Sequence, residues 1–199
     1  MEFVEETLNS KLVFDGKLIN VFSDDVQISN GHKTFREVVK HPGGVVVLAV
    51  KNPHTSPGRG GNSSNNSLTS PYLQPSILFV RQFRYPMKEI LLELPAGKLE
   101  YGEDPFEAGK RELEEETGYC ANKWTDLGYV YTSPGYSNEK LYLYLAEDLE
   151  YKKCKPDEGE ILEPLELSYE DALDMIKTGK IVDAKTLCAF MKVRLIFSS

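Results

Sequence analysis

The sequence predicts an α/β fold: a mixed sheet sandwiched between helices, with a small antiparallel β unit in front of it. Three observations carry this. Short β-branched runs such as Gly44–Val50 and Ile77–Phe83 have the length and composition of buried strands. Three segments carry helix caps, around residues 105–117, 169–177 and 184–196. Residues 11–40 alternate in a strand-like way around an Asn-Gly turn.

The elements follow in order. Lys11–Gly16, Leu18–Ile28 and Thr34–Val39, with Ser29-Asn30-Gly31 between the last two, read as an N-terminal antiparallel unit spanning residues 1–42. Gly44–Val50 opens the main domain, residues 43–199. Residues 52–76 are rich in Ser, Asn, Gly and Pro and have almost nothing to bury, so a flexible loop is expected there. Ile77–Phe83 and Ile90–Leu94 are the next strands. Asp104 suits a helix cap, Pro105 the first helical position and Gly118 the position past the end, so a helix is expected over 105–117. Trp124–Tyr131, Lys140–Ala146 and Leu162–Leu167 read as strands. Ser168 caps a helix to Lys177, closed by Gly179, and Asp183 caps a last helix to about Ile196.

Bulk properties narrow the function. The 199 residues carry a net charge of −8, which argues against a nucleic-acid or anionic-membrane surface. Cys120, Cys154 and Cys188 have neither zinc-ligand spacing nor the even count of a disulfide framework. His32, His41 and His54 form no cluster and read as structural or surface residues. No apolar run is long enough for a membrane span. The opening Met-Glu-Phe-Val-Glu-Glu lacks the basic and apolar regions of a signal peptide, so a cytoplasmic protein is expected.

The chemistry concentrates on the 105–117 helix. Phe106, Gly109, Leu113 and Thr117 recur at helical spacing and face inward. Glu112 and Glu116 are four apart and project from one side, with Glu115 on its flank. Carboxylates crowded this closely repel one another unless a cation lies between them. Hard cations such as Mg²⁺ or Mn²⁺ take oxygen ligands. Two or three ions between these carboxylates and a diphosphate would offset both sets of negative charge.

Spacing sharpens this. Gly97, five residues, Glu103, seven residues, then Arg111-Glu112-Leu113, one residue, Glu115-Glu116, one residue, Gly118-Tyr119 fills every position of the Nudix box. The chain therefore closely resembles the Nudix hydrolase family. The resemblance implies an α/β/α sandwich and divalent-metal cleavage of a diphosphate linked to another group. It makes Glu112 and Glu116 metal ligands, Glu115 a ligand or a catalytic support beside them, and the carbonyl of Ala96 a further ligand. Arg111 would hold the carboxylates by charge-assisted hydrogen bonds. It also makes 52–76 an insertion between two strands that relatives join by a short turn.

Further strings resemble the ADP-ribose pyrophosphatase branch: Arg36–Gly43, Arg81-Gln82-Phe83-Arg84, Glu93–Gly97, Asp183-Ala184-Lys185-Thr186, and Thr132-Ser133-Pro134-Gly135, whose Pro134 stands sixteen residues after Gly118. This implies hydrolysis of ADP-ribose to AMP and ribose 5-phosphate. Another nucleotide sugar or a dinucleotide is the alternative substrate, and a non-catalytic ADP-ribose sensor the alternative class. Arg36, Arg81 and Arg84 are the cationic candidates for substrate, since guanidinium pairs bidentately with phosphate. The resemblance assigns Arg84 to the diphosphate and Arg36 to the partner's site across a homodimer formed by the N-terminal strands. Pro134 and Gly135 shape a substrate loop, and Glu139 accepts hydrogen bonds from a ribose or orders metal waters. Phe22 and Phe35 suit adenine stacking or core packing. The acidic loop 157–160 would supply Glu158 as general base and Glu160 as a metal ligand.

Overall fold

The computed structural model describes residues 3–52, 75–152 and 161–197. The expected loop lies outside them except at its ends, as do Glu158, Glu160, Cys154 and His54.

The N-terminal unit is a three-stranded antiparallel sheet of β1 (Glu5–Asp15), β2 (Asn20–Ile28) and β3 (Lys33–Lys40). β1 starts six residues earlier than the sequence suggests. All eleven of its residues are exposed, so no burial alternation marks its beginning.

The main sheet has seven strands: β4 (Gly44–Lys51), β5 (Ser76–Arg84), β6 (Glu89–Glu93), β7 (Ala96–Lys98), β8 (Tyr119–Tyr131), β9 (Lys140–Tyr151) and β10 (Leu162–Ser168). Their order is β10-β5-β4-β9-β8, with β6 on β5 and β7 on β4. The β4–β9 pair is parallel and the other pairs are antiparallel, so the sheet is mixed as expected. β7 has three residues and was not anticipated. β8 begins at Tyr119, because its first residues pair with a β9 that runs on to Tyr151.

Helices α1 (Pro105–Thr117), α2 (Tyr169–Lys177) and α3 (Ala184–Phe197) match expectation, except that Thr178 rather than Gly179 is the C-cap of α2. Strand parity explains the layers. Val46 and Leu48 face one way, into a core with Phe79, Leu143, Ala189 and Phe190. Val45, Val47 and Ala49 face the other way, onto Ala108 and Leu113 of α1. β4 is covered on both sides, which is why its sequence is apolar without alternation.

Candidate active site

The α1 helix is set by local chemistry. The Asp104 carboxylate accepts from the backbone N–H groups of Phe106 and Glu107, at 3.0 and 3.2 Å. Gly118 adopts φ 76°, a left-handed conformation that favours glycine, and its N–H donates to Glu114 O at 2.9 Å. The loop before the helix is tied to it through Glu103. That carboxylate accepts from Glu100 N at 2.8 Å and takes both Nε and Nη2 of Arg111, at 2.9 and 3.1 Å. Arg111 then donates from Nη1 to Glu112 at 2.8 Å and to Glu115 at 3.0 Å. One guanidinium therefore joins the loop to two of the three candidate carboxylates. Its pKa is raised, first by the hydrogen bond to Glu103 and then, against the cost of burial, by Glu112 and Glu115.

Glu116 and Glu112 are buried. Glu116 accepts from the backbone N–H of Ala96 at 3.0 Å, which fixes α1 against β7. Beside it, a Cβ on Gly97 would overlap the Glu112 carboxylate, so only glycine lets the β7 backbone close on that side chain. Among the described residues no three His, Cys, Asp or Glu side chains form a ready-made cage. The donor set itself fits a hard divalent cation: carboxylate oxygens from Glu112, Glu115 and Glu116, with the Ala96 carbonyl on the adjoining strand. Nudix hydrolases generally need such a cation.

This corner opens into a cleft of about 680 Å³. Ala96, Gly97, Arg111 and Glu112 line it together with Gln82, Arg84, Lys185, His41 and Glu139. Of the residues singled out in the sequence, Ala96, Arg84, Arg111, Glu112 and Glu139 thus meet in one cleft. Glu139 accepts from the Thr132 hydroxyl at 2.5 Å and stands 3.4 Å from His41 Nδ1. Pro134 and Gly135 lie in the preceding turn, outside the cleft wall. That turn docks on the N-terminal sheet: Val39 N donates to Tyr136 O at 2.7 Å and Asn138 N to Val39 O at 3.2 Å.

Two of the arginines lie elsewhere. Arg81 is three residues from Arg84, an odd step in a strand, so the two face opposite sides of β5. Arg81 pairs instead with Glu163 at 2.9 Å, half exposed. Arg36 sits on β3 and forks onto Glu5 of β1. Phe22 has the Lys40 ammonium 4.1 Å from its ring centre, Phe35 is exposed, and neither lines the cleft.

Arg84 and Lys185 of the cleft wall meet on Glu93, a carboxylate that does not itself line the cleft and that the sequence offered only as part of a matching string. Glu93 is 1% exposed, yet both its oxygens are engaged by Arg84, Nε at 2.7 Å and Nη2 at 2.6 Å, and it also accepts from Lys185. Burial pushes the Glu93 carboxyl up, but Arg84 and Lys185 together outweigh burial and hold it below the usual carboxylate value. Arg84 is raised in turn by its bond to Glu93 and by the nearby charges of Asp183 and Glu116. The available signal was a glutamate inside the apolar run Ile90-Leu91-Leu92-Glu93-Leu94, since a buried charge requires partners.

Comparison with known proteins identifies the family. A NUDIX domain model matches residues 70–190. The chain is 40% identical over 193 residues to an ADP-ribose pyrophosphatase of Bacillus subtilis (strain 168), covering 96% of this chain and 93% of that one. It is 36% identical over 195 residues to a methanol dehydrogenase activator of Bacillus methanolicus, covering 97% and 94%. A solved structure titled as an ADP compounds hydrolase superposes with a TM-score of 0.77 at 22% identity, over 98% of this chain and 94% of that one, and so shares its fold. Motif, folded geometry and sequence matches point the same way, and the chain belongs to the Nudix hydrolase family.

Proposed function

We propose that this enzyme hydrolyses the diphosphate bond of ADP-ribose, releasing AMP and ribose 5-phosphate. The observation that carries the reading is the shared cleft. The box residues Arg111 and Glu112 line it together with Arg84 and Glu139, the residues that the ADP-ribose branch would use on substrate. The near full-length likeness to an ADP-ribose pyrophosphatase supports the same substrate.

Glu112, Glu116 and the Ala96 carbonyl would hold divalent ions, with Glu160 as a further ligand. Mg²⁺ or Mn²⁺, two to three ions with substrate bound, suits these hard oxygen donors. When bound, such an ion polarises phosphoryl oxygens and makes bound water more acidic. The chain's own residues do the rest. Arg111 keeps Glu112 and Glu115 in register. Glu158, assisted by Glu115, takes a proton from the attacking water as its oxygen bonds to one phosphorus. The bond from that phosphorus to the bridging oxygen breaks, and the second phosphate leaves. Arg84 faces the diphosphate with a planar donor edge. Glu139 accepts from ribose hydroxyls, and the Pro134–Gly135 turn holds it in place. Arg81, paired with Glu163 on the opposite side of β5 from Arg84, would act only as a more remote cation.

Residues 1–42 would form a dimerisation unit, with 43–199 as the catalytic domain. β1 exposes Leu8, Leu12, Val13 and Phe14. A second copy would cover such a surface, and Arg36 would then complete the neighbour's site. A cytoplasmic location fits this reading; no helix among the described residues is long and apolar enough to cross a membrane.

The test is hydrolysis of ADP-ribose, ADP-glucose, GDP-mannose and NADH with Mg²⁺ in ¹⁸O-labelled water. ADP-ribose is expected to be cleaved fastest, with label in a single product. A clear preference for another substrate overturns the assignment, and no turnover of any of them favours a sensor.

A further inference from the structure

We propose that Arg84 and Lys185 form a two-cation clamp for the substrate's diphosphate, and that the buried carboxylate of Glu93 is the positioning residue that holds both. The inference rests on the diphosphatase reading above. It adds Lys185 as a substrate-contacting residue and Glu93 as the group that fixes the clamp.

The geometry carries it. Arg84 spends Nε and Nη2 on Glu93 and, among the described residues, makes no hydrogen bond from Nη1. Its second edge, Nη1 with the other Nη2 hydrogen, therefore remains for a bidentate phosphate. Lys185 donates to Glu93 and, at 2.9 Å, to Asp183. An ammonium has three donors, so one remains. Both side chains line the cleft that holds Glu112.

The frame behind them is rigid. Asp183 accepts from Thr186 N at 3.0 Å and from the Thr186 hydroxyl at 2.7 Å, and that hydroxyl accepts from Leu94 N at 3.0 Å. The start of α3 is thus stapled to the residue after Glu93. Arg84 and Lys185 balance Glu93 and Asp183 in charge. Without Glu93, the Arg84 guanidinium would be drawn toward the box carboxylates, of which Glu116 is near enough to raise its pKa. Glu93 therefore keeps the two cations apart from the box while leaving donors for a ligand. A purely structural contact between α3 and the sheet is ordinarily better served by apolar side chains than by a buried charge.

The experiment uses the full chain with Lys185→Met and Glu93→Gln. KM and kcat are measured with ADP-ribose and Mg²⁺, binding of the non-hydrolysable α,β-methylene analogue of ADP-ribose by calorimetry, and melting temperature in parallel. Each variant is expected to raise KM and weaken analogue binding about tenfold, with the smaller change in kcat. In an Arg84→Ala/Lys185→Met background, Glu93→Gln is expected to add less than about twofold to the binding loss, because its effect runs through those two cations. KM and analogue affinity within twofold of wild type, even with a lowered melting temperature, would overturn the proposal and leave the quartet a staple for α3. If Glu93→Gln does not fold, Lys185→Met decides alone. If the wild type prefers another nucleoside diphosphate, the ADP-ribose reading fails, while the same variants assayed on that substrate still decide the clamp.

Discussion

The backbone of Gly97 lies so close to the Glu112 side chain that a Cβ at residue 97 would overlap its carboxyl carbon and both oxygens. The box glycine thus shapes the carboxylate fifteen residues on. Gly97→Ala displaces the flexible end of one side chain, so the expected loss of stability is small, about 1 kcal/mol. Turnover is expected to fall about a hundredfold, because Glu112 leaves its place by an ångström or more. Steady-state kinetics beside a urea denaturation curve separates the two effects.

Arg111 binds Glu103 through two parallel bonds while its Nη1 serves Glu112 and Glu115. Lysine keeps the charge but cannot span these partners. Arg111→Lys is expected to raise the Mg²⁺ concentration giving half-maximal rate by about ten- to a hundredfold. A titration of rate against Mg²⁺ reads this directly, and an unchanged midpoint would separate Arg111 from the metal site.

Glu93 produces an acid-side dependence of stability. Its folded pKa lies below the ordinary value of 4.5, so the unfolded chain takes the proton first as pH falls. The stabilisation is complete above about 4.5 and drains away as pH drops through the lower folded value. Glu93→Gln is expected to cost about 3 kcal/mol at neutral pH, since it leaves two cations short of a partner. That gap should narrow below pH ~4.5. Denaturation curves from pH ~3.5 to ~7 test the sign; a gap that widens toward acid contradicts it.

The exposed apolar residues of β1 predict concentration-dependent activity. Specific activity is expected to fall on dilution as dimers separate, and Phe14→Glu on the exposed face of β1 to shift light scattering toward monomer. Full activity in a monomer would remove Arg36 from the site.

Much of the fold is legible because its signals are local. The α1 ends follow from Asp104, Pro105 and Gly118, each of which acts within one turn. β4 is legible because it is apolar on both faces. The site is legible only where it is contiguous. Residues 97 to 119 fold into one bonded unit, as their spacing suggests. Arg81 and Arg84 look equivalent in the string Arg-Gln-Phe-Arg, yet strand parity sends them to opposite faces. Glu93, Arg84 and Lys185 meet across up to 101 positions, through the β5–β6 pairing and the docking of α3. No local pattern encodes that meeting. The traces were a glutamate in an apolar run and three separate strings that resemble one branch of the family, none of which says that the residues touch. β7 is too short for any periodicity, although its backbone forms the wall against which α1 packs.

Glu116 bears most directly on the central claim. It is buried, and its link to the Ala96 N–H survives replacement by glutamine, whose amide oxygen can still accept. The decisive measurement is the rate of AMP release from ADP-ribose with Mg²⁺ for wild type and Glu116→Gln, with thermal melting alongside. The wild type is expected to release AMP and ribose 5-phosphate, and chelation to abolish this. The variant is expected to be slower by about a thousandfold, on the order of 4 kcal/mol of transition-state stabilisation, and to melt like wild type. A folded Glu116→Gln enzyme releasing AMP at the wild-type rate would remove Glu116 from the metal site.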